Sequence, residues 1–212
     1  MTTNQMTHQP IQRLGVLGGT FDPVHYGHLL LAESAREQCR LDQVWLLPTA
    51  AAPHKQRQST STAHHRIEML KLAIGGHPAL HVSSLEVDRG GVSYTVDTLS
   101  IIREQHPDAE LFFLMGGDSL EDLPHWRQPH RILELAIPVV VRRAGWPEPN
   151  YDALKHLVTP QRLASISQCQ VVMPVIELAS TEIRRRVGNR ESIRYRTPRA
   201  VEKYIETHGL YQ

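Results

Sequence analysis

Short apolar runs recur six times along the chain, at "LGVL" (14–17), "VWLLPT" (44–49), "LHVSSLE" (80–86), "LFFLMG" (111–116), "IPVVVRR" (137–143) and "VVMPVI" (171–176). Helical spacing of apolar residues appears between them, at Ile67, Leu70 and Ile74 in 64–75 and at Val96, Leu99 and Ile102 in 96–103. Because the runs are continuous rather than alternating, they favour a parallel sheet covered on both faces. The pattern predicts an α/β fold, a doubly wound parallel sheet in a Rossmann-like three-layer sandwich, with ligands beyond the carboxyl ends of the strands.

The punctuation of the chain indicates one domain. Residues 143–156 are rich in Pro and Gly and predict a surface loop, which is too short to link two domains. A terminal helix is predicted over 198–208, with Pro198 at its first helical position and its end before Gly209. We therefore predict a single domain over 1–212, with 1–12 as a loose N-terminal tail.

Composition narrows the classes of partner. The net charge of +1 gives no electrostatic reason to expect a nucleic acid or a membrane. The N-terminus does not have the pattern of a signal peptide, and no apolar run has transmembrane length. Cys39 and Cys169 are isolated, as in a chain whose cysteines stay reduced. We expect a cytoplasmic protein without nucleic-acid or membrane partners, and these features leave its oligomeric state open.

The segment "GGTFDPVHYGH" (18–28) carries the first candidate chemistry. Its glycines follow a predicted strand, so we expect the backbone N–H groups of a helix N-terminus to meet a phosphate there. It matches neither the P-loop nor G-x-G-x-x-G. His25 and His28 are three residues apart, so they share a helix face and, as imidazolium ions, could stabilise charge on a phosphate. Zinc is a weaker alternative, since the H-E-x-x-H spacing is absent and neither cysteine is nearby.

The segment "ASTEIRRR" (179–186) carries the second. Ser180 or Thr181 is a natural N-cap, so this helix start would offer hydroxyls, N–H groups and the Arg184 guanidinium to a triphosphate. An ordinary capped basic helix is the alternative interpretation.

Together these segments resemble the nucleotidyltransferase superfamily. Its H-x-G-H signature is matched by residues 25–28, and its Ser-Ser-Thr-x-Ile-Arg motif by 179–184, with Ala179 in place of the first serine. Further segments resemble one branch, the bacterial nicotinate-nucleotide adenylyltransferases, namely "APHK" (52–55, with Ala52 in place of a proline), "SYTVDTL" (93–99), "LMGGDSLEDLPHW" (114–126) and "YRTPRAVEKYIETHGLY" (195–211).

The resemblance implies transfer of the adenylyl group of ATP to nicotinate mononucleotide, giving deamido-NAD and pyrophosphate in NAD biosynthesis, with Mg²⁺ accompanying ATP and no metal site on the protein. It implies catalytic roles for His25, His28, Lys55 and Arg184. It implies ATP contacts from Gly18, Gly19, Thr20, Phe21, His28, Gly116, Asp118, Ser180, Thr181 and Arg184. The acceptor would be bound by Asp22, Lys55, Tyr94, Thr95 and Trp126, with the Tyr-Thr pair at the nicotinate carboxylate and Trp126 against the pyridine ring.

Three alternatives stay open. A sibling enzyme would use nicotinamide mononucleotide or phosphopantetheine as the acceptor, although phosphopantetheine enzymes are usually shorter and lack the series of segments at 93–126. A non-catalytic nucleotide-binding module would keep the fold without turnover, yet both histidines, Lys55 and Arg184 are present. A class I aminoacyl-tRNA synthetase ranks last, because this chain has no room for an anticodon domain.

Overall fold

Six parallel strands form one sheet in the order β3-β2-β1-β4-β5-β6. The computed structural model describes residues 10–50, 61–143, 145 and 148–212, with the backbone alone for residues 118 and 143. The strands are β1 (Arg13–Gly19), β2 (Gln43–Pro48), β3 (Leu80–Val82), β4 (Glu110–Gly116), β5 (Ile137–Arg143) and β6 (Gln170–Met173).

Helices connect these strands and cover both faces of the sheet. They are α1 (Tyr26–Gln38), α2 (Ala63–Ala73), α3 (Leu85–Arg89), α4 (Thr95–Gln105), α5 (Gly117–Asp122), α6 (Pro129–Leu135), α7 (Pro160–Gln168), α8 (Ser180–Gly188) and α9 (Arg199–Thr207). Two 3₁₀ turns lie at Leu123–His125 and Asp152–Leu154. The prediction of a doubly wound, Rossmann-like sandwich is confirmed.

The central strands are buried on both faces, as their continuous apolar runs predict. Leu14 and Val16 of β1 are buried, and Val16 stands opposite Trp45 of β2 and Phe113 of β4. The strand order reverses between β1 and β4, so a crevice is expected at the carboxyl ends of these two strands. The candidate residues at 18–28 and at 116–118 follow those two ends.

Two predicted strands are shorter than their apolar runs. The strand predicted over 80–86 pairs only over Leu80–Val82, and residues 85–89 turn into α3, where Ser84 Oγ donates a hydrogen bond of 2.6 Å to Asp88. The strand predicted over 171–176 ends at Met173, because Pro174 has no N–H to donate to a ladder.

The buried face of α2 differs from the predicted one. Leu70 is buried as expected, but Ile67 and Ile74 are only half-buried. Arg66 and Met69 point inward instead. The apolar spacing missed Arg66 because a buried arginine interrupts the pattern.

The ends of the chain and the surface loop follow the prediction only in part. Residues 1–9 of the predicted tail lie outside the described residues, and in the described part the Gln12 N–H donates to Asp42 Oδ2 over 2.8 Å. Residues 148–156 are irregular apart from the 3₁₀ turn, and the terminal helix α9 spans 199–207 with Pro198 as its N-cap. Across the described ranges, no helix has the length and apolarity needed to cross a membrane.

Candidate functional site

A turn of six residues, Thr20 to His25, joins β1 to α1. Both predicted glycines, Gly18 and Gly19, belong to β1, and α1 begins only at Tyr26 with His25 as its extended N-cap. The glycines therefore end the strand, and the turn separates them from the helix. A Cβ at Gly18 would meet nothing within 4 Å.

The two motif histidines are stacked on each other. Their ring centroids are 3.7 Å apart and the ring planes differ by 18°. The His25 backbone N–H donates to His28 Nδ1 over 3.2 Å, so a neutral His28 carries its proton on Nε2. Among the described residues, His25 Nδ1 is buried without a hydrogen-bond partner. The two rings therefore lie together, but neither is among the residues that line the cavity described below.

Burial keeps both rings uncharged at neutral pH. Desolvation lowers the pKa of His25 from its ordinary 6.5 to about 4. Desolvation also lowers the pKa of His28, and repulsion from His25 lowers it further, since two stacked imidazolium rings repel each other. Rings with such lowered pKa values are neutral and carry N–H groups, whereas the interpretation of the sequence was in terms of imidazolium ions.

Close contacts explain two residues of the motif. A Cβ on Gly27 would lie 3.0 Å from both Cε1 and Nδ1 of His25, so a larger residue would displace the ring. Phe21 is buried at a positive φ of 50° with its ring against Gly19, and it meets the His28 ring edge-on at 5.0 Å. Phe21 thus packs beneath the motif, and its buried ring is not exposed to ATP.

The start of α8 braces the turn from the far end of the chain. Ser180 Oγ donates to the Pro23 carbonyl over 2.9 Å, and Arg184 Nη1 donates to the Asp22 carbonyl over 2.6 Å. The N-cap of α8 is Ala179, so the prediction of Ser180 or Thr181 as the cap is wrong. Ser180 is the first helical residue, and its hydroxyl is hydrogen-bonded to the turn, while Thr181 is exposed.

Asp22 does not fit the predicted role in substrate contact. Its side chain is 1% exposed, and its Oδ1 accepts hydrogen bonds from the hydroxyls of Ser61 and Tyr211. A carboxylate so enclosed holds the turn together and is not presented to an acceptor.

A cavity of about 670 Å³ opens at the carboxyl ends of β2, β1 and β4. Pockets of this size suit small molecules. Its walls bring together the strand end, the start of α4 and the indole predicted for the pyridine ring, namely Gly18, Gly19, Thr20, Tyr94, Thr95 and Trp126. Residues from three separate motifs therefore share one cavity.

The start of α4 forms one wall of this cavity. Tyr94 is its N-cap and Thr95 its first helical residue, and the Tyr94 side chain makes no capping hydrogen bond. An uncapped helix start carries unpaired N–H groups and a positive dipole end, which suits a carboxylate. The Arg127 guanidinium adds positive charge, 4.7 Å from the centroid of the Tyr94 ring.

The sequence analysis did not predict two buried polar side chains, Glu86 and Thr98, that line the cavity. Thr98 Oγ1 donates to Glu86 Oε1 over 2.7 Å, and both side chains are buried. Within the described part of the chain, Glu86 Oε2 has no hydrogen-bond partner. Glu86 was hidden in a segment predicted as strand, and only its charge within an apolar run could have signalled it.

Several predicted residues have no described side-chain geometry. Lys55 and its loop lie outside the described residues. Gly116 ends β4 and is the N-cap of α5, and Asp118 follows in the first turn of that helix, so the role predicted for its carboxylate stays a prediction. Over the described residues, no group of three or more His, Cys, Asp or Glu side chains is placed to hold a metal ion.

Known proteins are similar to this chain over most of its length. The cytidylyltransferase-like family model matches residues 16–186. A Thermomicrobium roseum protein named as a probable nicotinate-nucleotide adenylyltransferase is 45% identical and aligns with 95% of this chain and 92% of its own. The nicotinate-nucleotide adenylyltransferase of Bacillus subtilis is 38% identical over 95% of this chain and 100% of its own.

Solved structures share the fold. The Plasmodium falciparum nicotinic acid mononucleotide adenylyltransferase complexed with NaAD superposes with a TM-score of 0.71 at 17% identity. The match covers 94% of this chain and 97% of that one. At this identity the likeness establishes a common architecture.

Proposed function

Because the chain belongs to the nicotinate-nucleotide adenylyltransferase family, we propose that it transfers the adenylyl group of ATP to nicotinate mononucleotide. The products are deamido-NAD and pyrophosphate. The acceptor phosphate attacks the α-phosphorus of ATP, a P–O bond forms, and the bond to the pyrophosphate leaving group breaks. The acceptor is already an anion, so the reaction needs no nucleophile from the protein.

The observation that carries this proposal is the shared cavity. Gly18 and Gly19 at the end of β1 and Thr20 of the turn line the same space as Tyr94 and Thr95 at the start of α4. One end suits phosphates, because the glycines let a ligand approach the backbone. The other suits a planar acid, because the uncapped helix start favours a carboxylate and Trp126 offers an aromatic face.

Catalysis in this site is positioning plus stabilisation of charge. We assign His25 and His28 to the α-phosphoryl group, to which their ring N–H groups would donate hydrogen bonds. Because the rings are neutral, they can be buried without a partner of opposite charge. Arg184 supplies a fixed positive charge beside the turn, and its contact with Asp22 uses one of the five guanidinium N–H donors. Thr181 is exposed at the start of α8 and is free to meet the triphosphate. Lys55, Gly116 and Asp118 keep the phosphate and ribose roles given by the resemblance.

ATP would enter with a divalent cation, which we propose to be Mg²⁺. The described residues offer it no acidic cage, so phosphate oxygens and water would be its ligands. Bound there, it neutralises charge on the triphosphate.

The test is an assay with ATP, Mg²⁺ and nicotinate mononucleotide. Release of pyrophosphate is measured, and the dinucleotide is identified by mass spectrometry. We expect both products from the wild type and from His156→Ala, a control that removes an exposed imidazole. Binding of ATP without release of pyrophosphate would instead identify a non-catalytic nucleotide-binding module.

A further inference from the structure

The buried Asp22 carboxylate joins parts of the chain that are far apart in sequence. Tyr211, the second-last residue, donates its hydroxyl to Asp22 Oδ1 over 2.6 Å. Ser61, just before α2, donates to the same oxygen. The helices that precede Tyr211 and follow Ser61 also meet, since the Tyr204 hydroxyl of α9 lies 2.9 Å from His65 Nδ1 of α2. Tyr211 therefore contacts the turn through Asp22, and the contact between α9 and α2 stabilises this arrangement.

Tyr211 is held in a conformation that needs this support. Its φ is +66°, in the left-handed region that an aromatic residue rarely adopts, and such backbone persists where surrounding contacts hold it. Burial, together with the hydrogen bond to Asp22, raises the pKa of the Tyr211 hydroxyl. The hydroxyl thus remains a proton donor to the carboxylate at any working pH.

Asp22 lies between the phosphate end of the turn and the histidines. On one side the buried Arg66 guanidinium donates to the Thr20 carbonyl over 3.0 Å. On the other side, three residues along the chain, His25 is the N-cap of α1. A rotation at Asp22 would move the backbone at Thr20 and the ring of His25 together.

We propose that Tyr211 is a positioning residue for the phosphate turn, which acts through the Asp22 carboxylate to hold the two histidines in place. This role rests on the proposed adenylyl transfer. The hydroxyl donates to Asp22 and faces Ser61 Oγ at 3.5 Å, and Tyr211 ends the segment 195–211, to which the resemblance gives no catalytic or binding residue. The Tyr211 hydroxyl holds Asp22 Oδ1 in place. A shift of about 1 Å in a catalytic group can lower the rate about a hundredfold, so a small movement of the turn is enough to reduce turnover.

Tyr211→Phe tests this role, because it removes only the hydroxyl and keeps the ring that packs against the core. We expect kcat to fall by about tenfold to a hundredfold while KM for ATP and for the mononucleotide changes less than threefold. The matched control is Tyr195→Phe, whose side chain is 82% exposed, and it should leave both constants unchanged. A kcat within twofold of the wild type in Tyr211→Phe would overturn the proposal.

Two further measurements separate positioning from general stability and from the proposed function itself. Ile166→Val removes one methylene group from the buried face of α7, away from the turn, and should lower stability alone. If it lowered kcat as much as Tyr211→Phe does, the positioning role would be refuted.

NMR of the histidine rings needs no turnover. Tyr211→Phe should shift the ring signals of His25 and His28, and unshifted signals would overturn the role even in an active protein. An inactive wild type with shifted signals would contradict only the adenylyl transfer.

Discussion

Protonation of His25 should make the folded protein less stable in mild acid. The folded protein keeps this ring neutral down to about pH 4, because burial lowers its pKa, whereas the unfolded chain protonates it near the ordinary 6.5. Between these values the unfolded state binds more protons, so stability is present above pH 6.5 and is lost as the pH falls toward 4. From pH 7 to pH 5 the loss works out at about 2 kcal/mol, and over the whole window at about 3 kcal/mol.

Urea unfolding at pH 7 and pH 5 measures this loss, with His25→Asn as the comparison. The chain has 13 histidines, so the wild-type change alone includes other groups. We expect the free energy of unfolding to fall by about 2 kcal/mol more in the wild type than in His25→Asn. His156→Asn removes an exposed imidazole and should fall as the wild type does. Equal falls in the wild type and in His25→Asn would refute the neutral, buried His25.

Four substitutions test the site. Gly27→Ala should lower kcat by displacing the His25 ring while the circular dichroism spectrum stays intact, and unchanged turnover would contradict the contact. His28→Ala should lower kcat by about a hundredfold to a thousandfold with the circular dichroism spectrum intact, and near wild-type turnover would refute its role. Thr95→Ala and Trp126→Ala should each raise KM for the mononucleotide more than KM for ATP in steady-state assays, whereas equal effects would contradict the acceptor assignment.

The sheet could be predicted because its strands are buried on both faces. The runs at 111–116 and 137–143 coincide with β4 and β5 almost residue for residue. The errors arose where the apolar pattern continues past the hydrogen-bonded ladder, as at Pro174, or where a polar residue faces inward, as at Arg66. Local patterns do not contain the tertiary contacts that decide these two cases.

The site could be predicted only where a motif is local. The spacing of His25 and His28 indicated that the two rings lie together, but their charge state depends on burial and stacking, which no spacing reveals. Tyr211 and Asp22 are 189 residues apart, so nothing near either residue indicated their hydrogen bond. The inward position of the Asp22 carboxylate follows from that contact.

The acceptor preference tests the proposed function most directly. The measurement is kcat/KM for nicotinate mononucleotide and for nicotinamide mononucleotide, each at saturating concentrations of ATP and Mg²⁺. The uncapped start of α4 at the cavity wall favours a carboxylate over a neutral amide. We therefore predict a clear preference for the acid, which weakens in Thr95→Ala. A preference for the amide, or turnover of neither, would contradict nicotinate mononucleotide as the acceptor.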